Sequence, residues 1–211
     1  MTDHPDLFAH AFERIDAANA QDPNRTTVDG TARPHELHYG RRMTEWLGRL
    51  EPGASDALRL AVRCQHLCRW MIPRAQYPMD RAGYLKWRVD LGRFHAERAG
   101  QILRDVGYDE PTVRRVQSLV RKEGLKTDPE TQALEDVACL VFLEDELAQF
   151  APRHDEQKVV RILARTWAKM SPRGRAAALA LELAAPQRAL MEKALAQPVK
   201  ATTPPGAPEV H

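Results

Sequence analysis

The sequence predicts an all-α protein, and three observations support this prediction. Apolar residues recur at spacings of three and four along almost the whole chain, and no segment shows a clear alternation of period two. Several periodic segments begin with an acidic residue or a serine close to a proline, which is typical of helix N-termini. The segment VACLVFL is apolar on all sides, as expected of a helix at the centre of a helical core.

The first half of the chain contains four predicted helices. The Pro52-Gly53 pair ends the second of them, and Ser55 is the expected N-cap of the third, which carries RLAVRCQHLCRW. The polar segment 21–34 predicts a loop because it is rich in Pro, Gly, Asn and Asp. We place these helices at about residues 5–20, 35–50, 55–72 and 81–106.

The second half continues the helical pattern. Asp109 with Pro111 predicts the start of a fifth helix, and Asp128 with Pro129 predicts the start of the sixth, which contains VACLVFL. Two or three more helices are expected between Asp155 and about residue 196. The tail 197–211 is rich in proline and predicts disorder, so we expect a single helical domain over residues 1–196.

Composition and charge are those of an ordinary soluble protein. The 211 residues are 43% hydrophobic and 28% charged, and the net charge of +2 is too small to indicate nucleic-acid binding by itself. No apolar run is long enough for a membrane span and MTDHPDLF lacks the features of a signal peptide, which predicts a cytoplasmic protein without membrane contact. Cys64 and Cys68 are interpreted as small core residues, since the cysteine count is odd and no CxxC occurs.

Four polar residues on four predicted helices fall on the apolar faces. A buried carboxylate without a partner costs several kcal/mol, so the acidic members must meet a cation, a metal or strong donors. Each residue alone can be a satisfied core residue, but together they suggest one site. Their mixed nitrogen and oxygen ligands suit a divalent transition metal such as Mn, Fe, Co, Ni or Zn. These predicted metal ligands are Glu36, His66, His95 and Asp136.

Basic and aromatic residues alternate between His66 and His95. Guanidinium groups bind phosphate or carboxylate through two parallel hydrogen bonds, and aromatic faces stack on bases or pack against sugars. We therefore expect this segment to line a substrate site, although the aromatic rings could instead cover the core while the basic groups are solvated or ion-paired. The predicted substrate-binding residues are Arg69, Arg74, Tyr77, Arg81, Tyr84, Lys86, Trp87 and Arg88, with Arg121 and Lys122 from a second basic cluster.

The order of these residues resembles the HD superfamily of metal-dependent phosphohydrolases over about residues 35–147. AVRCQHLCRW is similar to the helix that bears the family's His-Asp pair, FHAERAGQILRDVGY to a later histidine-containing helix, and ALEDVACLVFLE to the helix of the final Asp. The resemblance implies an HD-like helical core. It also implies that His66 and Asp136 bind a metal, with His95 as an accessory ligand and either Glu36 or His38 in place of the first His.

The function expected from this resemblance is metal-assisted hydrolysis of a small phosphorylated compound such as a nucleotide. Glu97 and Glu144 are the carboxylates that we predict to take part in catalysis beside the metal. Leu67 stands where the HD pattern has its paired Asp. A second interpretation therefore stays open: a metal-free nucleotide-binding or RNA-binding protein that retains the fold.

Two longer segments resemble an uncharacterised family of bacterial and fungal proteins, some of which are labelled glutamyl-tRNA synthetases. The segments are RWMIPRAQYPMDRAGYLKWR and LKTDPETQALEDVACLVFLE. Synthetase activity is not expected. Lys169-Met170-Ser171 matches part of the synthetase nucleotide loop, but no HIGH-like sequence precedes it and no strand-helix alternation accompanies it. Ser171 before Pro172 indicates the start of a helix instead.

Overall fold

The computed structural model describes residues 4–196, and these residues are mostly helical. This confirms the predicted all-α fold. The chain divides into two compact units, Met1–Val141 and Phe142–His211, called here the first and the second unit. The predicted disordered tail, residues 197–211, lies outside the described residues.

The first unit is built mainly from six helices in its described part. Helix α4 packs against α5, α2 packs against α3 and α6, and α3 packs against α5. Leu58, Leu103 and Leu134 are completely buried between them. The elements are α1 (His4–Asn19), β1 (Arg25–Val28), β2 (Thr31–Pro34), α2 (His35–Leu50), α3 (Asp56–Arg63), α4 (Arg81–Val106), α5 (Glu110–Val120) and α6 (Pro129–Val141).

The second unit contains four helices in the part that the structure describes. A π-helical turn, Phe142–Glu146, precedes them, and α8 packs against α10. Nowhere in residues 4–196 is there a helix both long enough and apolar enough to cross a membrane. The elements are α7 (Leu147–Phe150), α8 (Glu156–Lys169), α9 (Pro172–Leu179) and α10 (Ala185–Ala196).

Side-chain caps fix the starts of five helices. In each case the cap oxygen accepts a hydrogen bond from the backbone N–H three residues further on, which satisfies one of the free donors of the first turn. The predicted starts of these helices are therefore confirmed. The capping residues are Ser55, Asp80, Asp109, Asp155 and Ser171.

The segment predicted as a loop contains a β-hairpin. Strands β1 and β2 pair in antiparallel fashion, with Arg25 opposite Pro34 and Val28 opposite Thr31. Asp29 and Gly30 have φ values of 50° and 74°, as a tight two-residue hairpin turn requires. The loop prediction was wrong here because the strands are short and largely exposed, so they carry no apolar alternation.

Helix α3 is shorter than predicted, and His66 lies in the turn that follows it. The helix ends at Arg63, and Cys68 adopts a left-handed conformation with φ 56°. The Cys68 N–H donates to Asn19 Oδ1 at 2.9 Å, so a side chain from α1 holds the turn. No Gly or Pro marks this break in the sequence, which explains why a continuous helix was predicted. Cys64 and Cys68 are buried free thiols, as expected.

A buried arginine connects the three helices that surround this turn. Arg63 Nε and Nη2 each donate to the Asp16 carboxylate at 2.7 Å, and Nη1 donates to Thr44 Oγ1 at 3.1 Å. A guanidinium with two parallel bonds to a carboxylate is held more rigidly than a single hydrogen bond would hold it. This network fixes the end of α3 against α1 and α2, and with it the turn that carries His66.

Candidate functional site

Glu36 lies in the first turn of α2, and the segment before the hairpin holds it in place. Its backbone N–H donates to Asp22 Oδ2 at 2.9 Å, and the His35 N–H donates to the Asn24 carbonyl at 3.0 Å. Because these two hydrogen bonds satisfy backbone donors of the first turn from outside the helix, the start of α2 is fixed. The Glu36 side chain is only 6% exposed, so its carboxylate projects into the protein.

His66 lies beside this carboxylate. Its ring stacks on Tyr39 with centroids 4.0 Å apart and planes 12° apart. His66 Nδ1 is 3.4 Å from Glu36 Oε2, yet both atoms are buried without a well-formed hydrogen bond. The stacking therefore sets the plane of the imidazole, while its Nδ1 faces an acceptor that it does not fully bond.

His95 reaches the same region from α4. Its Nδ1 is 2.8 Å from the Leu67 carbonyl, and a carbonyl only accepts, so Nδ1 carries the proton and Nε2 carries a lone pair. Nε2 is buried without a partner. The His66 and His95 ring centroids are 6.0 Å apart, so the two imidazoles are neighbours.

Glu36, His66 and His95, called here the Glu36 cluster, share an unusual feature. Of the five buried side-chain polar atoms without a partner in the described residues, three belong to this cluster: Glu36 Oε2, His66 Nδ1 and His95 Nε2. Buried polar atoms are bonded in the large majority of cases, so three unbonded atoms in one place need an explanation. Carboxylate oxygen and imidazole nitrogen are ordinary ligands of divalent transition metals.

The pKa values of the cluster also favour binding of a divalent metal. Burial, together with the charge of Arg69, lowers the pKa of His66 to about 3, and burial lowers the pKa of His95 to about 4. Burial raises the pKa of Glu36, but its interactions with His35 and His66 outweigh this effect and leave that pKa below the ordinary range. At neutral pH the cluster consists of one carboxylate and two neutral imidazoles, the states that bind metals.

Arg69 lies where the Glu36 cluster meets solvent. Its Nε is 3.8 Å from Glu36 Oε1, and its Nη1 is 3.5 Å from His66 Nε2. The guanidinium lies over the Trp87 ring, 4.9 Å from the centroid, and the side chain is 29% exposed. Trp87 is fixed in turn, because its indole N–H donates to the Ile72 carbonyl at 2.9 Å.

The other predicted ligand and the predicted catalytic carboxylates lie in different surroundings. Asp136 is 2% exposed in α6, and it accepts a hydrogen bond from Gln132 Nε2 at 3.0 Å. The Gln132 amide therefore meets one oxygen of this buried carboxylate, and the assignment of Asp136 as a fourth metal ligand stays a prediction. Glu97 is exposed on α4, and Glu144 is exposed in the second unit. Their catalytic roles also stay predictions.

Several predicted substrate-binding residues hold the connection between α3 and α4. Arg74 Nη1 donates to the Tyr77 carbonyl at 3.0 Å, and Nη2 donates to the Asp80 carbonyl at 3.3 Å. The Tyr77 hydroxyl and Lys86 Nζ both donate to Asp90 Oδ2, at 2.9 and 2.6 Å. These contacts agree with the alternative interpretation of the segment, in which basic groups pair with acidic or backbone oxygens.

The remaining predicted substrate-binding residues divide into exposed and ion-paired groups. Arg81, Tyr84 and Arg88 are exposed on α4, and the positive charge of Arg88 contributes to the lowered pKa of His95 after burial and Arg69. Arg121 Nε donates to Glu123 at 2.6 Å, and Lys122 Nζ donates to Glu135 at 2.5 Å. Arg69 is therefore the predicted substrate-binding residue that directly contacts the Glu36 cluster.

Two neighbours of the cluster were missed from the sequence. Ligand atoms of Asp22, His35 and Glu36 lie within 4.8 Å of one another, and among residues 4–196 this is the one such group of three or more. Both Asp22 oxygens already accept hydrogen bonds, from Glu36 N–H and from Asn24, which supports a role in fixing α2. Asp22 precedes Glu36 by fourteen residues across a hairpin, so helical periodicity could not relate them.

The fold and the site together define an all-α protein in which a buried carboxylate lies beside two neighbouring imidazoles, those of His66 and His95. A family described as "Domain of unknown function (DUF4202)" matches residues 9–191, and the chain belongs to this family. This confirms the predicted resemblance to an uncharacterised family. No curated protein and no solved structure matches the chain.

Proposed function

We propose that the protein is an HD-like metal-dependent phosphohydrolase that acts on a small phosphorylated compound such as a nucleotide. The observation that supports this proposal is that three buried atoms on neighbouring residues, Glu36 Oε2, His66 Nδ1 and His95 Nε2, have no hydrogen-bond partner. A divalent transition metal such as Mn, Fe, Co, Ni or Zn would bind these atoms together only after side-chain movement, since they do not all lie within 4.8 Å of one another in this structure. Three protein ligands leave coordination positions for water and substrate, as catalytic metal sites do.

The donor set fits such a metal in its chemistry. The Leu67 carbonyl fixes the His95 tautomer that presents Nε2, and the Tyr39 ring fixes the plane of His66. When bound, a divalent metal lowers the pKa of a bound water and polarises a phosphoryl oxygen. Arg69, which is 29% exposed beside the cluster, would neutralise charge on the phosphoryl group.

Leu67 explains how the site departs from the HD pattern. Its side chain is completely buried in the core, where it offers no ligand atom. Its backbone carbonyl, however, accepts the hydrogen bond that orients His95. In the proposed centre the carboxylate therefore comes from Glu36, which stands in place of the family's first His, and not from the position of the paired Asp.

The proposal is tested by metal analysis and an activity assay on the same preparations. Protein purified without chelator is titrated with Mn²⁺, Co²⁺, Ni²⁺ and Zn²⁺, then assayed for phosphate release from nucleotides and sugar phosphates. We expect one metal per chain and phosphate release. Glu36→Gln and His95→Gln should lower metal affinity at least about 100-fold, whereas His10→Gln, which changes an exposed histidine of α1, should not.

Two results would contradict the proposal. A wild-type protein that binds none of these metals would remove the metal centre, and one that binds metal but releases no phosphate from any substrate would remove the hydrolase. Equal metal affinity of Glu36→Gln and the wild-type protein would place the metal elsewhere in the chain.

A metal-free nucleotide-binding or RNA-binding protein is the second candidate. Arg69 already lies 3.8 Å from Glu36, so a cation of the protein itself faces the buried carboxylate. This candidate predicts nucleotide affinity that chelator leaves unchanged and a melting temperature that metals do not raise. If RNA is the ligand, affinity should fall steeply as salt rises. A nucleotide affinity that depends on added metal would exclude this candidate.

A further inference from the structure

Three side chains at the base of the β-hairpin lie closer together than the three unpartnered atoms of the Glu36 cluster. Ligand atoms of Asp22, His35 and Glu36, called here the Asp22 group, lie within 4.8 Å of one another. A divalent transition metal binds carboxylate oxygen and imidazole nitrogen at about 2.0 to 2.2 Å, so two ligand atoms of one ion lie at most about 4.4 Å apart. The spacing of the Asp22 group is therefore close to the spacing that one ion requires.

Asp22 can bind an ion and still fix the start of α2. Its Oδ1 accepts two hydrogen bonds of 2.9 Å, one from the Asn24 backbone N–H and one from the Asn24 side-chain amide. Its Oδ2 accepts one, from the Glu36 N–H at 2.9 Å. Each carboxylate oxygen has two lone pairs, so Oδ2 keeps one for a metal. Hydrogen bonds of this kind also orient the carboxylates that bind metals in other proteins.

The Glu36 carboxylate provides a separate indication that a ligand binds here. Its side chain is 6% exposed, and its Oε2 is buried without a hydrogen-bond partner. Its other oxygen, Oε1, lies 3.4 Å from His35 Nδ1. Burial raises the pKa of Glu36, but interactions with His35 and His66 outweigh this effect and keep that pKa below the ordinary range. The group therefore carries its charge at neutral pH, and a cation would offset the cost of burying it.

His35 completes the group with an imidazole that solvent reaches. Its side chain is 38% exposed, whereas Asp22 is 1% exposed. An ion beside His35 can therefore enter from solvent and keep water molecules as its remaining ligands. Two carboxylates offset the charge of a divalent cation, and the mixed oxygen and nitrogen donors suit Mn, Fe, Co, Ni or Zn.

We propose that Asp22, His35 and Glu36 bind one divalent transition metal ion, which fastens the β-hairpin to α2. Asp22 precedes β1 and His35 follows β2, so the ion joins the two ends of the hairpin. Both strands are four residues long and largely exposed, and a hairpin of two strands is marginally stable by itself. This inference does not rest on the proposed phosphohydrolase function, because His66 and His95 do not belong to the Asp22 group.

The experiment combines Zn²⁺ binding by calorimetry with hydrogen exchange of the amides of residues 25–34, in the full chain. It compares the wild-type protein with His35→Gln. His10→Gln is a matched control, because His10 is also an exposed histidine near a helix start, in α1. Circular dichroism melting in chelator establishes that each variant is folded.

We expect His35→Gln to lower the affinity for Zn²⁺ at least about 10-fold, since even partners of metal ligands contribute this much. In the wild-type protein, Zn²⁺ at about ten times its dissociation constant should slow exchange of the hairpin amides about 10-fold, because an ion that binds only the closed hairpin opposes its opening. The same Zn²⁺ concentration should slow exchange much less in His35→Gln. His10→Gln should behave like the wild-type protein in both measurements.

Two results would overturn the inference: equal affinity of the wild-type protein and His35→Gln for Zn²⁺, or hairpin exchange that Zn²⁺ does not slow. A wild-type protein that binds no Zn²⁺ gives the first of these results. The proposed hydrolase is judged by other observations, phosphate release and the metal affinity of His95→Gln. Loss of Zn²⁺ binding in His35→Gln without phosphate release from the wild-type protein would support the Asp22 group and remove the hydrolase, so each can fail alone.

Discussion

Two groups of charged side chains in the first unit differ in how completely they are bonded. In the Arg115 cluster, formed by Arg115, Asp128 and Glu130, the guanidinium donates to Asp128 Oδ1 at 3.0 Å and to Glu130 Oε2 at 3.1 Å. Asp128 also accepts from the Glu130 backbone N–H at 2.9 Å, and the Ser55 hydroxyl donates to Glu130. In the Glu36 cluster, three buried atoms have no partner.

The difference separates a stabilising network from a candidate site. The Arg115 cluster joins α5 to the start of α6 and to the Ser55 cap of α3, and its side chains are 23% to 35% exposed. The Glu36 cluster bears the larger desolvation cost and has fewer bonds to offset it. Buried polar atoms that reduce stability in this way are typical of sites that bind a ligand.

Removal of Arg115 should have the largest effect on stability. Arg115→Leu breaks the bonds to Asp128 and Glu130 and leaves two carboxylates near each other, so we expect a loss of about 2 kcal/mol in the free energy of unfolding. Urea denaturation followed by circular dichroism measures it. Metal affinity should be unchanged. A loss below about 0.5 kcal/mol would show that the network contributes little.

The same cluster predicts how stability depends on pH. The Arg115 hydrogen bond lowers the pKa of Asp128 to about 2, below the model-peptide value of 3.8. Since the folded pKa lies below the unfolded one, the stabilisation is complete above the unfolded value and is lost as pH falls toward 2. At pH 6 the free energy of unfolding of the wild-type protein should exceed that of Asp128→Asn by about 1 kcal/mol, after allowance for solvent screening. Urea denaturation from pH 6 to 2 should show this difference disappear; a constant difference would contradict the assignment.

Local signals made much of the fold predictable. Ser55, Asp80 and Asp109 cap helices whose starts depend on the cap and the next three residues, so a short stretch of sequence contains the necessary information. The end of α3 depends instead on Asn19, a residue of α1 that bonds the backbone of Cys68. A bond between residues 49 apart in sequence leaves no local signal, which is why this helix was predicted too long.

The candidate site was predictable to a similar degree. Glu36 and His95 were placed inward by helical periodicity, and both are buried on the helices where the pattern put them. His66 was placed by the same argument on a helix that ends before it, yet it still faces the interior because the turn is fixed by Arg63 and Asn19. The hydrogen bonds of Arg74 and Tyr77 depend on the fold of the whole connection between α3 and α4, so they leave no local signal in the sequence. The composition of the segment therefore suggested a substrate site there.

Glu36→Gln should have the smallest effect on stability, although it changes a buried charge. Its amide oxygen can still face the Nδ1–H of His66, and it loses an interaction with Arg69 that is 3.8 Å long and weak. We expect the free energy of unfolding in chelator to change by less than about 1 kcal/mol. Glu36→Gln should therefore lower metal affinity with little change in stability, whereas Arg115→Leu should lower stability and leave metal affinity unchanged. A loss of 2 kcal/mol or more would instead mean that Glu36 is the centre of a structural network.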